Sequence, residues 1–141
     1  MKTTNITLAF NGNAEEAFNF YRSVFGGEFI HVQRMSDIPG DHNHQMAPGE
    51  ANRILHMALP IGSAVLSGMD VPVKMPASVF GTNFMVQAET ESETETDKIF
   101  NGLAEGGRIS IPIGQQFWGS YFGMLTDKFG IQWMVSYTKQ Q

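Results

Sequence analysis

The chain contains no cysteine, which removes disulfide bridges, thiolate nucleophiles and cysteine-held metals from consideration. Charge is sparse, with 16% of residues Asp, Glu, Lys or Arg, and the formal net charge is −5. Lysines and arginines are scattered and form no basic stripe, so nucleic acid is not an expected partner. No apolar run approaches the ~20 residues that cross a bilayer, so no membrane association is expected either. The first residues, Met1-Lys2-Thr3-Thr4-Asn5, lack the apolar stretch of a secretory leader, which makes a cytoplasmic location the expectation. The acidic run from Glu89 to Asp97 has no EF-hand spacing. It reads as the acidic start of a helix, where the macrodipole favours negative charge, rather than as a calcium or partner-binding tract.

Glycine and methionine, by contrast, are plentiful, at fifteen and nine of 141 residues. Glycine suits a fold with many tight turns, and methionine an adaptable apolar lining. The length and the 42% hydrophobic content describe a single domain, or two half-size modules sharing a core.

Two stretches follow one plan. The first is Ile6-Thr7-Leu8-Ala9-Phe10, then Asn13 to Tyr21, then Phe25-Gly26-Gly27-Glu28-Phe29-Ile30. The second is Phe84-Met85-Val86, then Ser92 to Leu103, then Glu105-Gly106-Gly107-Arg108-Ile109. Both read as strand, capped helix, double glycine, strand. Asn13 with Glu16, and Ser92 with Glu95, have capping-box spacing. Ala14, Ala17, Phe18, Tyr21 and Phe25 recur at helical period and predict one buried stripe. Alternation predicts further strands over 28–35, 53–59, 64–69, 82–88, 108–113, 119–126 and 130–137. Residues 36–52 read as a long loop, and 71–81, with Pro72 and Pro76, as the linker between modules 1–70 and 82–141. The sum is an α+β domain of two βαβββ modules, each too small to stand alone, so the two sheets should pair.

The order of segments resembles the vicinal oxygen chelate superfamily (glyoxalase/bleomycin resistance/dioxygenase), and within it the PhnB-like group. The segments that carry the resemblance begin with Phe10-Asn11-Gly12-Asn13-Ala14-Glu15-Glu16-Ala17, Phe20-Tyr21 and Phe25-Gly26-Gly27-Glu28. Ile54-Leu55-His56-Met57-Ala58-Leu59, Ser67-Gly68-Met69-Asp70 and the run from Phe117 to Trp133 complete them. The resemblance implies paired curved mixed sheets around a cleft with the helices outside, and a homodimer as the common assembly. It does not choose an activity, because the superfamily holds lyases, epimerases, dioxygenases and sequestering proteins.

Enzymes of that superfamily hold a divalent ion on His and Glu side chains of the inner strands. Such an ion needs about three or four donors converging at ~2.0–2.3 Å. Parity places Thr7, His56, Asn83 and Met134 at the inward positions. Of these only His56 is a good ligand, and Met134 is a soft, weak one. His42 and His44 lie on the long loop with only Asp41 beside them, and a solvated loop is the reading for them. No metal and no other cofactor are therefore expected. Methyl transfer gains nothing from the sequence, since no glycine-rich loop follows the first strand.

The expected ligand-contacting residues are Thr7, His56, Trp118, Tyr121 and Met134. His56 is either a contact or a lining histidine, and it is also the candidate acid or base. Trp118 and Tyr121, rigid aromatics with polar tips, wall a ligand or pack in a core or dimer contact. Arg53 is either a clamp for an anion or an ordinary surface arginine. Three functions stay open: binding a planar or amphipathic small molecule without metal, a metal-dependent lyase or dioxygenase, and a metal-independent enzyme using His56.

Overall fold

The computed structural model describes residues 1–39 and 46–139; His42 and His44 lie outside them. The chain separates into two compact units, Met1–Val79 and Phe80–Gln141. In the first, β1 (Ile6–Phe10), α1 (Ala14–Phe25), β2 (His31–Arg34), β3 (Ile54–Ile61) and β4 (Ala64–Asp70) follow in order. The sheet runs β1-β4-β3-β2, with β1 parallel to β4 and the other neighbours antiparallel. The second unit holds β5 (Val86–Glu89), α2 (Glu93–Ala104), β6 (Arg108–Gln115), β7 (Ser120–Thr126) and β8 (Gln132–Thr138). Its order is β5-β8-β7-β6, with the same pattern of directions. Each module is thus βαβββ with its first strand laid parallel beside its last, and the fold is α+β.

The helices form where the apolar stripes fall. α1 buries Ala14, Ala17, Phe18 and Tyr21, and α2 buries Thr96, Ile99, Phe100 and Leu103. Phe18 sits edge-on to both Phe10 and Tyr21. α1 stops at Gly26 and Gly27, whose φ of 81° and 84° lie in the region that favours glycine.

The two helix starts differ from the symmetric capping expected. Ser92 caps α2, its hydroxyl accepting from the Glu95 N–H at 3.1 Å. The Glu95 carboxylate reaches one residue beyond the box, to the Glu91 N–H. Asn13 makes no side-chain cap at α1. The buried Asp70 carboxylate, at the end of β4, takes that place by accepting from the N–H groups of Gly12 and Ala14. A carboxylate is the stronger acceptor at a helix N-terminus, so the carboxamide of Asn13 is left unused.

Strand limits shift by a residue or two at most strands and by more at two places. Residues 28–30 precede β2 rather than belonging to it, and 82–85 precede β5. In the second case the Gln132 carboxamide donates to the carbonyls of Gly81 and Phe84, which draws this segment out of the ladder. Asn83 therefore occupies no strand position. Two single helical turns, Met35–Asp37 and Glu50–Asn52, interrupt the predicted loop. No helix among the described residues is long and apolar enough to cross a membrane.

Candidate functional site

Successive strand residues point to opposite faces of a sheet, so one anchor fixes a whole face. In the first sheet the anchor is Gly68, where a Cβ would sit 2.3 Å from the Phe18 ring. Gly68 therefore faces α1, as do its register partners Leu8 and Met57. The opposite face carries no helix of the module. Across it runs one row of paired residues, Thr7, Ser67, Ala58 and His31. Ala9 pairs with Met69, and His56 with Gln33, on the same face.

The ring centroids of His31 and His56 lie 4.9 Å apart, tilted by 56°. Burial pushes the His56 imidazole below its ordinary pKa, and positive charge on His31 adds to the effect. His56 is thus held toward the neutral form, able to accept a hydrogen bond or a proton through one ring nitrogen. Among the described residues no carboxylate is bonded to it, so nothing orients it as a base of the triad kind.

The sign for stability follows from the direction of the shift. A histidine whose folded pKa is depressed binds fewer protons folded than unfolded. Its contribution is complete above the ordinary value of 6.5 and declines as pH falls toward the folded one. An NMR titration of the side-chain nitrogens should give His56 a midpoint below 6.5. His31→Gln should bring it only part-way back, because burial remains the larger cause. A midpoint at or above the ordinary value would contradict the burial seen here.

In the second sheet the anchor is Gly123, where a Cβ would meet the Phe100 ring of α2 at 2.7 Å. Gly123 and its partner Val135 face α2. Tyr121 has the same parity, and its hydroxyl donates to Asp97 of α2 at 2.6 Å. The Asp97 carboxylate holds the phenol above its ordinary pKa. Met134, paired with Gln87 and Met124, faces the other way. So does Phe122, whose ring Trp118 meets edge-on at 5.5 Å. Trp118 is 55% exposed and also abuts Phe117.

The expected residues therefore divide. Thr7 and His56 share the helix-free face of the first sheet. Met134 and Trp118 share that of the second. Tyr121 lies on the α2 side, because within β7 it shares the parity of Gly123, which packs against α2. There it lines a separate cleft of about 610 Å³ with Ser92, Tyr137 and Lys139. His31, Gln33, Ser67 and Gln87 join the helix-free faces without having been expected. The first three become legible only once cross-strand register is known, and Gln87 only once β5 is seen to start at Val86.

A family model decides what these modules are. That of the Glyoxalase/Bleomycin resistance protein/Dioxygenase superfamily matches residues 4–135. The chain belongs to this superfamily. Protein YjdN of Escherichia coli K12 is 27% identical over 140 residues, covering 95% of this chain and 94% of that protein. Protein PA1353 from Pseudomonas aeruginosa superimposes with a TM-score of 0.84 at 33% identity, over 98% of this chain and all of that one. A Bacillus cereus structure described as a putative 3-demethylubiquinone-9 3-methyltransferase, PhnB protein, gives a TM-score of 0.78 at 29% identity, with the same coverage.

A divalent ion is the group that this superfamily implies, and the residues on the helix-free faces do not fit it. Those faces offer hydroxyls, carboxamides, thioethers, one pair of imidazoles on the first sheet and one strand carboxylate on the second, Glu89, which accepts from Gln87. Among the described residues no three His, Asp or Glu side chains converge.

Proposed function

We propose that this superfamily member binds a small molecule on the helix-free face of its first sheet, centred on His56, with no resident metal. The observation that carries the reading is the His31–His56 pair, 4.9 Å apart on a face that no helix of the module covers. A neutral, half-buried His56 supplies a hydrogen-bond acceptor. The exposed Thr7 hydroxyl and Gln33 carboxamide supply further polar points, with the buried Ser67 between them in the sheet. The half-buried Ala9 and Met69 supply apolar surface beside them. That combination suits an amphipathic or planar ligand carrying at least one donor. Met134 and Trp118, on the corresponding face of the second sheet, are proposed as additional ligand contacts.

Methyl transfer, the activity in the Bacillus cereus neighbour's description, is not favoured. The turn after β1 is Asn11-Gly12-Asn13, which is not a glycine-rich cofactor loop. A metal-independent reaction with His56 as base remains the second reading. Its depressed pKa favours it, and the lack of an orienting carboxylate weighs against it.

A symmetric homodimer completes the proposal. Ile30 and Val32 at the β2 edge, and Ile109 and Ile111 on the β6 edge strand, are exposed apolar side chains of the kind that edges usually cover. Sedimentation at micromolar concentration should give about twice the 15.6 kDa chain mass, and a single monomeric species would contradict the proposal.

A thermal-shift screen of amphipathic heteroaromatics tests the binding reading. A binder present at about 100 times its Kd adds ~2.7 kcal/mol to stability, so a saturable rise in Tm of several degrees is expected. His56→Ala should abolish that rise. Zinc, nickel or manganese should move Tm little. A saturable metal stabilisation lost in His56→Ala would overturn the metal-free reading.

A further inference from the structure

Arg53 takes no part in the face just described. It lines a separate cleft of about 630 Å³ with Asn11, Gly12, Asn13, Glu15 and Asn52. The guanidinium donates to the Val71 carbonyl at 2.7 Å and, more weakly, to the Asn11 carbonyl at 3.5 Å. It lies over the bare Gly12, where a Cβ would come within 3.3 Å of it.

The charge balance of the cleft decides its chemistry. Among the described residues the ion pairs are Arg22 with Glu28 and Arg34 with Glu15, so no carboxylate pairs with Arg53. The Glu15 carboxylate is held by both terminal nitrogens of Arg34, and its pKa is pulled below the usual range by that bond. A second carboxylate nearby, Asp70, is consumed by the N–H groups of Gly12, Ala14 and Ile54. Carbonyl dipoles satisfy two of the five Arg53 donors but cannot cancel its charge. Beside it, the carboxamides of Asn13 and Asn52 have no hydrogen-bond partner among the described residues. One unpaired guanidinium flanked by two free carboxamide groups is a donor set for an anion with several oxygens.

We propose that this cleft binds an oxyanion-bearing small molecule, a carboxylate or a phosphate ester, on Arg53 with Asn13 and Asn52 as supporting donors. The test measures the binding of inorganic phosphate and of succinate by calorimetry at constant ionic strength. Arg53→Lys keeps the charge and loses the fork. Asn13→Asp places a carboxylate beside Arg53 at a position where Asp suits a helix start. The wild type should bind at least one probe saturably. Both variants should weaken that binding tenfold or more, with Asn13→Asp melting within about a degree of wild type. Saturation by phosphate alone assigns a phosphate ester, and by succinate alone a carboxylate. His56→Ala should leave oxyanion binding unchanged, so this site and the sheet-face site fail or succeed separately. Absence of saturable binding to both probes, or equal binding by both variants and wild type, overturns the proposal.

Discussion

Asp70→Ala should cost about 3–5 kcal/mol of folding stability, a large share of the ~5–15 kcal/mol typical of a domain. Asp70 is 1% exposed and accepts three backbone hydrogen bonds, from Gly12 and Ala14 at 3.0 Å and from Ile54 at 2.8 Å. It therefore joins the end of β4 to the starts of α1 and β3. Alanine leaves these N–H groups without an acceptor where water has little access, and each such loss costs about 1–3 kcal/mol. At roughly 2–4 °C per kcal/mol for a chain of this size, Tm should fall by about 10 °C. Asp70→Asn, which keeps one acceptor oxygen, should fall in between. Asn13→Ala should cost only a few tenths of a kcal/mol, because that side chain makes no cap bond. Chemical denaturation of the three variants checks the ranking. A larger loss for Asn13→Ala than for Asp70→Ala would place the cap back on the helix's own flanking residue.

Gly68→Val is the second substitution with a large expected effect. A Cβ at this position would lie 2.3 Å from the Phe18 ring edge, and Phe18 is fully buried. Either the ring leaves its rotamer or α1 lifts off the sheet, and overpacking of this kind costs about 1–3 kcal/mol or more. Pairing the change with Phe18→Leu should return part of the loss, a coupling that only residues in contact show. Thr7→Val, on the helix-free face and exposed, should change stability by less than about 0.5 kcal/mol. Equal costs for Gly68→Val and Thr7→Val would reverse the assignment of the two faces.

What could be read from the sequence was local. The repeated strand–helix–Gly-Gly plan, the stripe of Ala14, Ala17, Phe18 and Tyr21, and the Ser92 cap are carried by residues a few positions apart. Parity alone placed Thr7 and His56 on the face opposite Leu8 and Met57. What stayed hidden was non-local. Asp70 reads as the residue before a linker, and its partners Gly12 and Ala14 lie 58 and 56 positions away. The pairing of His31 with His56 depends on the β2–β3 register, which contains an irregularity between Gln33 and Arg34. Tyr121 was misplaced beside Trp118 for a similar reason. Within β7 it shares the parity of Gly123, and the hydrogen bond to Asp97 turns the ring toward α2.

Docking of a small molecule against His56 on the first sheet is best tested by residue-resolved NMR. Amphipathic fragments would be titrated into labelled protein while the imidazole nitrogens and backbone amides are followed together. Saturable shifts of the His56 and His31 rings are expected, accompanied by those of the Thr7, Gln33 and Ser67 amides. Fragments that move only the residues around Ser92, Tyr121 and Tyr137 and leave His56 unperturbed would contradict it.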